Sequence, residues 1–145
     1  MTKLRWLVYI PLLLTTIYTI HFAVDLYIEV ETTPEHQAQA EQYLIAENLP
    51  TPDLPFTRDG CTLWPDALFF HDFEEACLQH DIAYWAGGSA ERQRQVNVAF
   101  RQKVAETGPL GPAFGLIMYS AVEYLGDNGV SRIVGSHWGY GWLED

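Results

Sequence analysis

Basic residues are scarce in this sequence. The chain has 8 lysines and arginines against 19 aspartates and glutamates, and its formal net charge at pH 7 is -11. A protein that binds nucleic acid needs a positively charged surface for the phosphates, so we expect no nucleic-acid partner. Hydrophobic residues make up 48% of the 145 positions, which predicts one domain with a sizeable core.

Internal repeats and clear strand alternation are also missing. Helical spacing instead predicts four helices, over about residues 34 to 48, 72 to 85, 90 to 105 and 112 to 125. Without strand signals, these helices predict an all-α domain. The short link at Gly87-Gly88 predicts that the second and third helices are antiparallel neighbours, which would bring Asn97 toward His80.

The N-terminus carries the longest apolar run. Lys3 and Arg5 precede a stretch from Trp6 to Val24, about 19 residues long and near the minimum for a membrane span. A small-x-small cleavage site is not found, because the best candidate begins with His21. We therefore predict an uncleaved transmembrane anchor over residues 1–25, in preference to a cleaved signal of a secreted protein or to a buried core helix. Positive charge before the span predicts an extracytoplasmic C-terminal domain.

The remainder of the chain divides into three predicted parts. They are a linker, helix and Pro-rich connection (26–56), a core (57–126) and a Gly/aromatic tail (127–145) to which no structure is assigned. Both cysteines lie in the core, and an oxidising compartment would allow a Cys61–Cys77 disulfide. On the second helix Cys77, His80, Asp81 and Tyr84 lie three or four residues apart, which predicts one shared face. A base, a carboxylate and a phenol on one face indicate a functional site.

The residues of this core resemble a known family. The string from Ala76 to Tyr84, Ala-Cys-Leu-Gln-His-Asp-Ile-Ala-Tyr, resembles the Cys-x-x-His-Asp-x-x-Tyr core of secreted phospholipase A2. Upstream, Asp59-Gly60-Cys61 with Pro65-Asp66 resembles the loop of the bacterial and fungal branch, at a matching separation. The resemblance covers about residues 57 to 125 and implies two long antiparallel helices with a calcium loop tethered by a disulfide.

The resemblance also implies roles for individual residues. Asp81 and Asp59 correspond to carboxylate ligands of Ca²⁺, and Gly60 to a ligand through its backbone carbonyl. His80 corresponds to the general base that deprotonates water, and Tyr84 to a tyrosine that braces the site. The implied reaction is calcium-dependent hydrolysis of the sn-2 ester of a glycerophospholipid, which releases a fatty acid and a lysophospholipid. The implied partners are the phospholipid substrate and, through the anchor, a membrane.

Asn97 departs from the family pattern, which has an aspartate at the matching position. An amide oxygen accepts an imidazole N–H but cannot stabilise an imidazolium by charge. The alternative hypothesis is therefore a weakened or inactive phospholipase A2-like module that binds lipid or a protein. If Asn97 faces His80, Asn97→Asp is expected to raise hydrolysis.

A third hypothesis takes His71-Asp72 and His80-Asp81 as the metal ligands of a phosphohydrolase. Such a site needs further histidine and aspartate ligands from other helices. Beyond the predicted span, only His36 and His137 remain as additional histidines. The sequence therefore disfavours this hypothesis.

Overall fold

The computed structural model describes residue 16 and residues 31–61, 64–68, 70–126 and 137–143. From residue 31 onward this part contains four helices and one short hairpin. Their order is α1 (Pro34–Glu47), β1 (Ala67–Leu68), β2 (His71–Asp72), α2 (Glu74–Ala86), α3 (Ala90–Ala105) and α4 (Gly111–Gly126). The two strands are antiparallel, with Ala67 opposite Asp72 and Leu68 opposite His71.

Local signals explain where these helices begin and end. The Thr33 hydroxyl accepts a hydrogen bond from the His36 backbone N–H, which caps α1, and the Ser89 hydroxyl caps α3 in the same way. α3 has the predicted bounds. α2 begins at Glu74, two residues later than predicted, because Asp72 belongs to β2. It ends at Ala86, and Gly87 caps it with a φ of 66°, which favours glycine.

α3 is the antiparallel neighbour of both α2 and α4. Between α2 and α3, His80 contacts Asn97, while the Ala83 carbonyl accepts from Arg92. The partner number falls as the residue number rises, so the two helices run in opposite directions, as the short link predicts. α4 returns along α3, with Glu123 bonded to Asn97.

Gly115 allows α4 to approach α3 closely. A methyl group here would lie 2.6 Å from the Arg101 carbonyl oxygen, inside van der Waals contact.

Gly115→Ala is therefore expected to lower the free energy of unfolding by about 1–3 kcal/mol, although alanine is intrinsically the better helix former. Urea denaturation measures the change. Ser120→Ala, at an exposed position of α4, should change it by less than about 0.5 kcal/mol. A Gly115→Ala protein as stable as the wild type would contradict the close approach.

Two groups of buried residues form the core, one on each side of α2. Leu78, Ile82 and Trp85 of α2 pack with Leu44 of α1 and with Phe56. On the other side, Phe73, Ala76 and Cys77 pack with Cys61, Phe100, Val104 and Met118. α2 is thus the central element of the described fold, and nine of its residues are buried.

Residues 137–143 cap the C-terminal end of α2. The last turn of a helix leaves carbonyl groups without helical partners. Here the backbone N–H of Gly139 donates to the Tyr84 carbonyl, and that of Gly141 donates to the Trp85 carbonyl. The Trp142 indole N–H donates to the Ala86 carbonyl. Gly141 lies against the Trp85 ring, where a Cβ would come within 2.5 Å of the indole. Part of the tail to which the sequence assigned no structure is therefore a cap on the central helix.

The predicted fold class requires two corrections. The domain is mostly helical but not all-α, because β1 and β2 form a two-stranded sheet whose strands, of two residues each, are too short to leave an alternating pattern. The predicted transmembrane helix is not supported either, since none of the helices in the described ranges is long and apolar enough to cross a membrane. Residues 1–25, for which the anchor was predicted, lie outside the described residues except for residue 16.

Candidate functional site

α2 presents the predicted site residues on two adjacent stripes, where the sequence predicted one face. His80 and Tyr84 bond to Asn97 of α3. Cys77 and Asp81 contact the loop of residues 57–61 instead. Residues four apart lie above one another on a helix, so each pair forms a stripe of its own. One helix thereby directs a base toward α3 and a carboxyl group toward the loop.

Asn97 holds the first stripe together. Its side-chain oxygen accepts a hydrogen bond from the Tyr84 hydroxyl at 3.0 Å and lies 3.1 Å from Nε2 of His80. Since a carbonyl oxygen only accepts, Nε2 carries the proton in this bond. The neutral imidazole has one N–H, so Nδ1 is the nitrogen with a lone pair for a further proton. The structure thus brings His80, Tyr84 and Asn97 together.

The His80 ring lies between two aromatic rings. Its centroid is 4.2 Å from that of Tyr84 and 4.5 Å from that of Phe100. Burial lowers the pKa of His80 to about 4, against the bond to Asn97 and the charge of Asp59, which both raise it. The imidazole is therefore uncharged at neutral pH. A general base needs this state before it takes a proton from water.

Glu123 orients the Asn97 amide and was missed by the sequence analysis. Its Oε1 accepts a hydrogen bond from Nδ2 of Asn97 at 2.7 Å. A carboxylate cannot donate, so the amide nitrogen faces Glu123 and the amide oxygen faces His80. The only signal in the sequence was an isolated acidic residue in the largely apolar helix α4. Its partner becomes visible only when α3 and α4 pack together.

The loop of residues 57–61 is attached to α2 at both ends. The Cys61–Cys77 disulfide joins its far end to the helix, which confirms the predicted pairing. At the near end, Arg58 is buried, and its guanidinium lies 3.1 Å from the Glu74 carboxylate and 3.9 Å from the Asp66 carboxylate. These contacts hold the residues between them against α2.

Two carboxyl groups meet where the loop passes α2. The Asp59 backbone N–H donates to Oδ2 of Asp81 at 3.4 Å, so Asp59 lies directly beside the Asp81 carboxyl group. Burial and the Asp59 charge raise the pKa of the buried Asp81 well above its usual value. Gly60 follows in a left-handed conformation with φ of 71°, which glycine adopts without strain. The structure thus brings together Asp59, Gly60 and Asp81 where the loop passes α2.

This set of oxygen donors fits calcium. Ca²⁺ is a hard cation that takes carboxylate and carbonyl oxygens together with water. Two carboxyl groups in contact need either a shared proton or a cation between them. Because the cation must displace that proton, calcium affinity is expected to rise with pH. Within the described ranges no three His, Cys, Asp or Glu side chains form a metal-binding group. The predicted calcium site has only two such side chains, Asp59 and Asp81, because its third protein ligand is the Gly60 backbone carbonyl.

Tyr140, in the C-terminal cap, reaches this loop. Its hydroxyl donates to the Thr57 carbonyl at 2.6 Å and lies 3.5 Å from the Asp81 carbonyl oxygen. Burial, followed by the charges of Asp81 and Asp59, raises the pKa of the Tyr140 phenol. The hydroxyl therefore stays protonated and donates. No signal in the sequence indicates Tyr140, because 83 positions separate it from Thr57.

Tyr140→Phe is expected to lower the free energy of unfolding by about 1 kcal/mol, because one hydrogen bond between the cap and the loop is lost. Calcium binding should weaken as well, since the loop that carries Asp59 becomes less well ordered. Thermal denaturation with and without calcium measures both effects. Tyr119→Phe is the control, as it keeps the ring that stacks under Arg101. Unchanged stability and calcium affinity in Tyr140→Phe would contradict this interpretation.

The other histidines within the described ranges do not form the ligand set that a phosphohydrolase needs. The His71 ring is buried against Phe114, and its Nδ1 lies 3.1 Å from the Thr107 hydroxyl. The Asp72 carboxylate accepts a hydrogen bond from the Glu74 N–H at the start of α2, and His36 belongs to the cap of α1. The hydrogen bonds and packing contacts of these residues account for their positions without a metal.

Two neighbouring groups therefore make up the site, the His80–Asn97–Tyr84 cluster and the Asp59–Asp81 carboxyl pair with Gly60. They are adjacent because His80 and Asp81 are consecutive residues of α2. Compared with protein-family models, with curated proteins and with solved structures, the chain matches none of them.

Proposed function

We propose that the domain is a calcium-dependent, phospholipase A2-like esterase that hydrolyses the sn-2 ester of glycerophospholipids. One observation carries the proposal. A neutral histidine, held through Nε2 by Asn97, stands directly beside a carboxyl pair suited to calcium. The resemblance of the residues from Asp59 to Tyr84 to secreted phospholipase A2 supports the same chemistry. The disulfide agrees with a domain that folds in an oxidising compartment.

The mechanism follows from the positions of these side chains. Nδ1 of His80 accepts a proton from a water molecule, whose oxygen bonds to the acyl carbon of the ester. The Nε2–H bond to Asn97 keeps the ring in place while it carries the added charge, and Tyr84 holds the same amide oxygen. His80 then gives the proton to the departing glycerol oxygen as the ester C–O bond breaks. The products are a fatty acid and a lysophospholipid.

Asp59, Asp81 and the Gly60 carbonyl would hold the calcium ion. When bound there, calcium supplies positive charge for the ester carbonyl oxygen. The carboxyl pair is the reason to expect a cation at this position, because ionisation of both groups is unfavourable without one.

Asn97 favours a second candidate, a module that binds phospholipid with little or no turnover. A neutral amide stabilises an imidazolium less than a carboxylate does. Lipid binding without release of fatty acid would support this candidate and reject the esterase.

The test is hydrolysis of phosphatidylcholine with a labelled sn-2 acyl chain in mixed micelles, with millimolar calcium or with a chelator. We expect release of labelled fatty acid in calcium only. Asp81→Asn should abolish it and also abolish the rise in melting temperature that calcium produces. Asp72→Asn is the matched control, because the asparagine side-chain oxygen can also accept the hydrogen bond from the Glu74 N–H. Calcium-independent hydrolysis, or full activity in Asp81→Asn, would reject the proposed calcium site.

A further inference from the structure

Glu123 ends a chain of hydrogen bonds that begins at His80. Nε2 of His80 lies 3.1 Å from the Asn97 oxygen, and the Asn97 nitrogen lies 2.7 Å from the Glu123 carboxylate. Asn97 is only 2% exposed, so water competes little for either bond. A negative charge beside the amide nitrogen polarises the amide and makes its oxygen a stronger acceptor. A carboxylate bonded directly to His80 would place a negative charge beside the ring. Here that charge lies one residue further away, on Glu123.

We propose that Glu123 is a positioning residue of the site, which fixes the Asn97 amide with its oxygen toward His80 and strengthens that oxygen as an acceptor. The kinetic part of this inference rests on the proposed esterase function, whereas the orientation of the amide does not. With the opposite orientation, the amide nitrogen would donate to Nε2 and the ring proton would move to Nδ1. That tautomer cannot accept a proton from water at Nδ1. Glu123 therefore selects the competent tautomer of His80.

The same geometry changes what Asn97→Asp alone should do. The new carboxyl group at position 97 would lie where the amide nitrogen now stands 2.7 Å from Glu123. Two carboxyl groups this close share one proton. The protonated group would then present a carbonyl oxygen to His80 and an O–H to Glu123, as the amide does now. The full gain that the sequence predicts for Asn97→Asp therefore requires Glu123→Gln in addition.

The experiment compares kcat and KM of wild type, Glu123→Gln, Asn97→Asp and the double variant Asn97→Asp/Glu123→Gln. The substrate is phosphatidylcholine in mixed micelles with saturating calcium. Glu123→Gln should lower kcat by about tenfold at unchanged KM, the lower end of what loss of a supporting partner costs a site. Asn97→Asp should raise kcat less in the wild-type background than in the Glu123→Gln background, where the double variant should exceed Glu123→Gln at least about tenfold. Glu106→Gln, exposed at the end of α3, is the control and should match wild type.

A second readout does not depend on activity. Nitrogen-15 chemical shifts of the His80 ring, assigned by comparison with His80→Ala, report which nitrogen carries the proton. Wild type should show the Nε2–H tautomer, and Glu123→Gln should show a mixture, because glutamine can bond the Asn97 amide in either orientation. Wild-type kcat in Glu123→Gln, or the full gain in Asn97→Asp alone, would overturn the proposal. If no protein hydrolyses phospholipid, the esterase function fails, and an unchanged tautomer in Glu123→Gln would then overturn this inference separately.

Discussion

His80→Ala is expected to lower phospholipid hydrolysis by about 10²–10⁴-fold, because a positioned general base contributes a factor of this size. Among the described residues of the site, His80 is the one with a neutral basic nitrogen that can take a proton from water during the reaction. Its pKa of about 4 keeps it unprotonated, and the bond to Asn97 directs the free nitrogen away from α3. Release of labelled fatty acid under saturating calcium measures the effect.

Two controls separate catalysis from folding. His36→Gln changes a histidine at the start of α1, outside the site, and should retain activity. His80→Ala itself should retain the calcium-dependent rise in melting temperature, because the proposed ligands are Asp59, Gly60 and Asp81. Wild-type hydrolysis by a folded, calcium-binding His80→Ala protein would reject His80 as the base.

Loss of the Cys61–Cys77 disulfide is expected to lower the free energy of unfolding by about 3 kcal/mol. The bond joins residues 16 positions apart, and closing a loop of this length restricts the unfolded chain by about that amount. Both sulfurs are also buried in the core beside α2, so reduction leaves two thiols in an apolar environment. Guanidinium denaturation of the oxidised and reduced protein measures the difference.

The disulfide should also matter for calcium, because it attaches the end of the Asp59 loop to the helix that carries Asp81. Cys61→Ala/Cys77→Ala is expected to bind calcium more weakly even at temperatures where it remains folded. Free thiols in the purified native protein, or equal stability before and after reduction, would contradict the prediction.

Short-range signals explain why the helices could be located from sequence. The Ser89 cap and the glycines at 87 and 88 act within a few residues, so α3 has the predicted bounds. The hairpin was not predicted, because strands of two residues have no alternation to detect. Its formation shifts the start of α2 by two residues and leaves the Asp72 carboxylate to accept from the first N–H of the helix.

The site divides in the same way. Helical spacing relates Cys77, His80, Asp81 and Tyr84, and it placed them correctly on one helix. It could not distinguish one face from two stripes, because that depends on whether α3 or the loop packs against each side. The sequence predicted that Asn97 lies toward His80, since a short link between two helices makes them antiparallel neighbours, and the contact between the two side chains confirms it.

The amino-acid sequence by itself determined the acidic balance, the four helices, the single possible disulfide and the His80-Asp81 pair at the centre of α2, because each depends on composition or on neighbours along the chain. Only the tertiary structure decided which groups act on that pair. Glu123 reaches Asn97 across 26 positions, and Tyr140 approaches Asp81 across 59. These contacts arise from the packing of α4 on α3 and of the C-terminal cap on α2, which bury and orient polar groups that no local pattern relates.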